Sequence, residues 1–282
     1  MPDQFPDYLQ VSRNDLAKGT NVKLSAVEGM PEIARHMAEA MLSVIEKARE
    51  EGRAATLIVP VGPVDQYPVL AEMLNHKDYS IQDVMFINMD EYLTDEDQWV
   101  DLAHPLSFRG YMNRKFYDLL KPELAPLPEN RICPSPNDVE AIQRMIDQRG
   151  GVDACFGGIG INGHMAFNEP PEPGDQVSVE EFAARPTRNL DLTRETRTIN
   201  SVTVGGEISI IPWRAVTVGM KEILAAREQY FYCNRLWQSS VVRRVLHGPV
   251  TSGCPASLLR THDNVSLTVT EYVADLPDIR LR

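Results

Sequence analysis

The chain has 282 residues, 43% hydrophobic and 24% charged, enough for one large domain or two small ones of ordinary soluble composition. Lys and Arg number 28 against 40 Asp and Glu, a formal net charge of −12. That balance argues against nucleic acid or an anionic membrane as partner, but not against a small anionic substrate, because a site can be locally positive.

The cysteines Cys133, Cys155, Cys233 and Cys254 are far apart and show no C-x-x-C spacing, so neither structural zinc nor a disulfide framework is expected. No apolar run approaches the roughly 18 residues of a membrane span. The acidic start MPDQFPDYLQ, with two prolines, does not read as a signal or transit peptide, and a cytoplasmic location is expected.

In chain order, residues 1–20 read as an N-terminal arm with little regular structure and residues 21–282 as a single α/β domain. A strand is predicted at 22–27. Pro31 then stands where a first helical turn tolerates it. Ile33, Met37, Met41, Val44 and Ala48 follow at helical spacing and share one face of a helix that ends near Gly52. TLIVPV, 56–61, is a buried strand, and 69–74 is helical. VMFINM, 84–89, is a second buried strand that stops at Asp90-Glu91. Helices are predicted around 110–120 and 138–148, the latter ended by Gly150-Gly151 before a strand at 152–156. Strands at 215–219 and 229–233 enclose a short helix. Helices at 235–247 and 255–260 precede a final strand at 264–270.

Strands alternating with helices imply an α/β fold of doubly wound, Rossmann-like type: a mostly parallel sheet with helices on both faces. Residues 169–186 are the most loop-like interior stretch, a candidate flap or a plain surface loop. In open parallel sheets ligands bind beyond the carboxyl ends of the strands. Two polar clusters fall there: Asp90-Glu91-Tyr92, and the glycine-rich FGGIGINGHMAFNEP at 156–170.

Gly158-x-Gly160-x-x-Gly163 has dinucleotide-turn spacing, but the sequence after Gly163, HMAFNEPPEP, cannot continue as the long helix such a turn requires. An ordinary tight turn is a second reading. The third is a catalytic loop, in which His164 titrates near neutrality and Glu169 returns to orient it. His36, His76, His104, His164, His247 and His262 lack H-x-x-x-H or H-E-x-x-H spacing, so no metal is expected, and G-x-S-x-G is absent.

GGIGINGHMAFNEP closely resembles the signature loop of the glucosamine-6-phosphate deaminases, also called isomerases. NMDEY at 88–92 resembles that family's other signature. TRETRTINS (193–201), AVTVGMKEIL (215–224) and, more loosely, CPASLLRTH (254–262) follow in family order. The resemblance implies a modified doubly wound α/β fold, often a homo-oligomer. It implies conversion of an amino-sugar phosphate to a ketose phosphate and ammonia without an organic cofactor. In that chemistry the ring opens, a proton passes between C-2 and C-1, and the amine leaves. The resemblance assigns Asp90 as the base at C-2 and His164 to ring opening, with Glu169 paired to His164 and Asn162 beside it. Gly62, Glu91, Gly158, Gly160, Gly163 and Gln238 become substrate-contact candidates, although Glu91 and Tyr92 also suit a scaffold role. Backbone N–H groups of the glycine-rich loop would stabilise a developing oxyanion.

The departures are as informative. Asn162 stands where the family usually has Asp, so His164 should bind a proton less readily. The hydroxyl-rich first phosphate loop is replaced by Val61-Gly62-Pro63-Val64-Asp65. Val202 stands where an arginine is common, and Gln238 where a lysine is expected. Each lost charge-assisted contact costs about 1.5–3 kcal/mol. These changes point to an altered substrate, either neutral at its far end or anionic and held by Arg235, Arg197 or Arg109. Two other readings stay open: a lactone hydrolase like the related 6-phosphogluconolactonases, and a sugar-binding regulatory protein without turnover.

Overall fold

The computed structural model describes residues 5–62 and 65–278. Its strands are β1 (Lys23–Val27), β2 (Thr56–Val59), β3 (Met85–Asn88), β4 (Asp90–Leu93), β5 (Arg131–Ile132), β6 (Ala154–Gly158), β7 (Arg188–Asp191), β8 (Arg214–Thr217), β9 (Glu228–Cys233) and β10 (Val265–Thr270). The helices are α1 (Met30–Glu50), α2 (Gln66–Lys77), α3 (Phe108–Lys115), α4 (Ala141–Arg149), α5 (Val179–Ala183), α6 (Arg194–Ser201), α7 (Met220–Leu224), α8 (Gln238–His247) and α9 (Glu271–Ala274). Seven strands make one parallel sheet in the order β1-β10-β9-β6-β2-β3-β5. This is the α/β architecture that the alternation predicts.

Successive strand residues point to opposite faces, and the two cores follow that period. Leu57 and Val59 of β2 pack with Ile33, Met37 and Met41 of α1 and Leu70 of α2. Ile58, between them, belongs to the other face with Val241, Val242 and Val245 of α8. The predicted α1 face, Ile33, Met37, Met41, Val44 and Ala48, is buried throughout. Each large apolar side chain so buried contributes about 1.5–3 kcal/mol.

The sequence reading misses a second sheet. β4, β8 and β7 form an antiparallel three-stranded sheet, with Asp90 opposite Thr217 and Arg188 opposite Thr217 on the other edge. The stretch at 84–89 therefore does not end in a loop at Asp90-Glu91, as expected. The backbone leaves the parallel sheet at Asn88 and starts β4 two residues later. Met89 is the switch: its N–H donates to Val59 O at 2.9 Å, and its carbonyl accepts from Val218 N at 2.7 Å. Likewise 215–219 is a strand, but it lies in this smaller sheet.

Two other expectations change. The candidate flap at 169–186 contains α5, closed by a capping box between Ser178 and Glu181 and anchored by fully buried Phe182. The N-terminal arm has only 3-10 turns at Asp7–Gln10 and Arg13–Asp15, yet it is packed: Leu16 is fully buried. Fully buried Arg243 of α8 ties the chain ends together. Its Nε donates to Val11 O at 2.9 Å and its Nη2 to Ala274 O at 2.7 Å. Among the described residues no helix is long and apolar enough to cross a membrane, and no cluster of His, Cys, Asp and Glu has the makings of a metal site.

Candidate active site

A cavity of about 650 Å³ opens beyond the carboxyl ends of the parallel strands. Gly62 after β2, Asp90 after β3, His164 after β6 and Arg235 after β9 all line it. The two signature loops thus converge on one space. Its walls are otherwise largely apolar, with Tyr92, Phe108 and Phe167 forming an aromatic side. Tyr92 and Phe108 lie 4.9 Å apart between centroids, and Phe108 stacks on Phe167 at 6.2 Å.

Asp90 is 8% exposed, and its carboxyl accepts no hydrogen bond from the described residues. Burial, with Glu91 adjacent, pushes its pKa up to about 8. Glu91 has the opposite fate. It is fully buried and turned into the protein, where Oε1 accepts from the Tyr92 and Phe108 N–H groups at 3.0 and 2.9 Å. Its Oε2 accepts from Ser107 Oγ at 3.0 Å, Arg109 N at 2.8 Å and Arg109 Nε at 3.2 Å. Glu91 therefore satisfies the first turn of α3 and anchors the strand that carries Asp90. Its substrate-contact assignment is corrected to that of a support, because every donor it meets belongs to the protein.

His164 is 9% exposed, and burial lowers its pKa to about 4, partly opposed by the nearby negative charge of Glu169. Asn162 Oδ1 accepts the backbone N–H of His164 at 3.2 Å and lies 2.8 Å from ring Nδ1. The backbone N–H can only donate, so it fixes which end of the amide faces His164. Nδ1 must then carry the ring proton, and Nε2 is left with its lone pair. Glu169 does not make the expected hydrogen bond with the ring. Its carboxylate accepts from the N–H of Thr193 at 2.9 Å and from the Thr193 hydroxyl, at the N-cap of α6. Thr196 Oγ1, one turn along, is 3.4 Å from Nδ1. Thr193 is a residue sequence reasoning overlooked, and the signal available was its N-cap position ahead of the helical TRETRTINS.

The glycines act through space more than through their N–H groups. A Cβ on Gly160 would lie 2.1 Å from the His164 ring, so the imidazole occupies the room that glycine leaves. Gly163 has φ +91°, and a Cβ there would meet Cys254 Sγ at 2.6 Å. The Gly160 N–H donates to His164 O at 2.9 Å and the Gly163 N–H to Gly160 O at 3.0 Å. Neither is free for an oxyanion, which corrects that part of the expectation; Gly158 ends β6 in register with Tyr232. Ala166, three residues past Gly163, adopts φ 52° without being glycine. It lines the cavity, and its strained backbone is held by buried Asn168, whose Nδ2 donates to Met165 O and Val218 O at 3.1 and 2.9 Å.

The far end of the cavity differs most from the family pattern. Gln238 lines it, but its amide bridges protein groups: Oε1 accepts Arg235 N at 2.7 Å and Nε2 donates to Ile159 O at 2.8 Å. Val202 is 66% exposed and is not part of the cavity wall. Pro63 and Val64 of the altered first loop lie outside the described residues; Gly62 is on the wall and Asp65 begins α2 with φ 78°. Of the three arginines considered as substitutes, Arg109 is bound to Glu91 and to Val100 O. Arg197 donates to Ile208 O and Ile211 O and lies 3.5 Å from the Trp213 ring centroid. Only Arg235 lines the cavity. Asn200, also on the wall, donates to Tyr92 Oη at 3.0 Å; nothing in its sequence position set it apart.

No family model matches the chain. Glucosamine-6-phosphate deaminase of Caenorhabditis elegans is 28% identical over 247 residues, 86% of each chain. The enzyme of the same description from Halothermothrix orenii is 30% identical over 216 residues, 76% of this chain and 83% of its own. Among solved structures, a monomeric glucosamine-6-phosphate deaminase superposes with a TM-score of 0.75 at 25% identity, covering 90% of this chain and 99% of its own. The fold alone is shared with 6-phosphogluconolactonase from Trypanosoma cruzi, at a TM-score of 0.63, 14% identity, and 90% and 96% coverage. Identity of 30% over 76% of this chain and 83% of the relative shows that the chain belongs to the glucosamine-6-phosphate deaminase family.

Proposed function

We propose that this protein isomerises and deaminates an amino sugar, converting an aldose amine and water into a ketose and ammonia, and that its substrate differs from the usual one at the far end. The observation that carries the reading is the convergence of Asp90 and His164 on one cavity. In the free protein Asp90 is largely protonated at neutral pH, which would disable a base. A 2-amino sugar brings its own remedy: an ammonium at C-2 lies beside the carboxylate, favours its ionised form, and so readies it to take the C-2 proton and return it at C-1. His164, neutral and with its Nε2 lone pair available, suits transfer of the hydroxyl proton during ring opening. Charge at the far end is thinner than in relatives, because Gln238 is engaged with the protein and Val202 lies off the wall. A solved relative is a monomeric deaminase, so the chemistry does not call for a second subunit.

The test is ammonia release and ketose formation from a panel of amino sugars and their phosphates, with a sugar lactone included. Asp90→Asn should lower kcat by about 10³-fold while leaving binding intact. Wild-type kcat/KM should fall as pH drops below about 8, where free Asp90 gains its proton. A folded Asp90→Asn protein with undiminished rate would overturn the assignment. Lactone hydrolysis without ammonia would transfer it to the lactonase reading, and binding without any product to the regulatory one.

A further inference from the structure

We infer that Arg235 is the anion-binding residue of this cavity, taking an oxyanion, phosphate or carboxylate, at the end of the sugar remote from the amine. The inference deepens the proposed function and rests on it for the sugar, but not for the anion.

Three observations carry it. Arg235 is the one cationic side chain on the wall of the cavity among the described residues, and its guanidinium has no hydrogen-bond or ion-pair partner among them. A half-buried guanidinium without an acceptor is suited to take one, since part of its five-donor fork has left bulk water without a replacement from the protein. Arg109 and Arg197, by contrast, are fully engaged. Second, the backbone beneath Arg235 is fixed: Gln238 Oε1 accepts its N–H at 2.7 Å while Nε2 holds Ile159 O across the cleft. The residue that replaces a lysine thus becomes the brace for the arginine. Asn234, next in sequence, is on the wall too, and its side-chain amide has no partner among the described residues. Third, the spacing suits a sugar. The sheet order places β9 three strands from β3, by way of β6 and β2. At about 4.8 Å per strand, the carboxyl ends that carry Asp90 and Arg235 are about 14 Å apart. Both residues line the same cavity, so that span is open to a hexose lying between them.

The local charge agrees. The chain as a whole is strongly acidic, yet in this cavity Asp90 holds its proton near neutrality and His164 is uncharged. Asp90 is the one carboxylate on the wall among the described residues and stands at the other end, so an anion beside Arg235 meets none close by. A guanidinium fork fits two oxygens of a carboxylate as readily as two of a phosphate. This explains how the phosphate elements could be lost together without making the site neutral.

Calorimetric titration tests it on the full-length protein with four probes: glucosamine, glucosamine 6-phosphate, 2-amino-2-deoxyglucuronate and inorganic phosphate. Wild type should bind one or both anionic sugars at least 10-fold more tightly than glucosamine. Whichever is preferred identifies the anion, and a preference for glucosamine 6-phosphate would overturn the altered far end in the proposed function while leaving Arg235 as its anion site. Arg235→Gln should abolish that preference, a loss of about 10- to 100-fold, while glucosamine affinity and Tm stay put; Arg235→Lys should restore part of it. Equal binding of neutral and anionic sugars by wild type, or an unchanged preference in a folded Arg235→Gln protein, would overturn the inference. If no amino sugar is bound or turned over but inorganic phosphate still binds in an Arg235-dependent way, the anion site stands and the deaminase reading falls.

Discussion

The two ends of the cavity are built on different terms. At the end served by β3 and β6, side chains are wired several deep: Glu91 meets five donors and Asn162 sets the ring of His164. At the end served by β9, among the described residues, a single arginine stands without a side-chain partner, propped by a glutamine. Proton transfer demands fixed geometry to within fractions of an ångström, so that end admits little substitution. Anion recognition needs a positive group at a suitable distance, and several sequences can supply one. Under the proposed function, the difference teaches that proton chemistry can be kept while recognition is rebuilt.

The comparison is broken most forcefully through Glu91. Glu91→Ala would strand the α3 N–H groups and the Arg109 guanidinium in a buried site, at a cost of about 3–5 kcal/mol by urea or guanidinium denaturation. A loss under 1 kcal/mol would show that the wiring is ornamental. Gly160→Ala is next. The new methyl displaces the imidazole, and kcat should fall by about 10²-fold with the fold retained by circular dichroism. Asn162→Asp is the gentlest. A carboxylate on Nδ1 should raise the His164 pKa above its value of about 4, by about 1–2, in an NMR titration. The wild-type ring is favoured neutral by folding, so its contribution is whole above pH 6.5 and is lost as pH falls toward 4. The aspartate variant should therefore lose less stability across that window.

Much of this was legible in the letters. Apolar runs such as TLIVPV and VMFINM announce buried strands, the steps from Ile33 to Ala48 announce α1, and the two signature loops announce the proton end. The smaller sheet was not, because Arg188–Asp191 is half-exposed and polar, with no period to betray it. Nor could spacing reveal where carboxylates would point. Asp90 and Glu91 are neighbours of the same chemistry, and only alternation along β4 sends one to the cavity and the other to α3. Glu169 looked like a partner for His164 by proximity in sequence, but the N-cap of α6 offers it two donors, and the ring offers one already bound to Asn162.

Arg243 has a consequence for how the molecule comes into being. Its guanidinium clasps the carbonyl of Val11 across 232 positions, so the turn around Val11 cannot lock until those intervening residues have been synthesised. At 5–20 residues per second the ribosome needs roughly 10–50 s to cover that distance. During that interval Leu16 lacks its final berth, and a segment made well before α8 settles only after it.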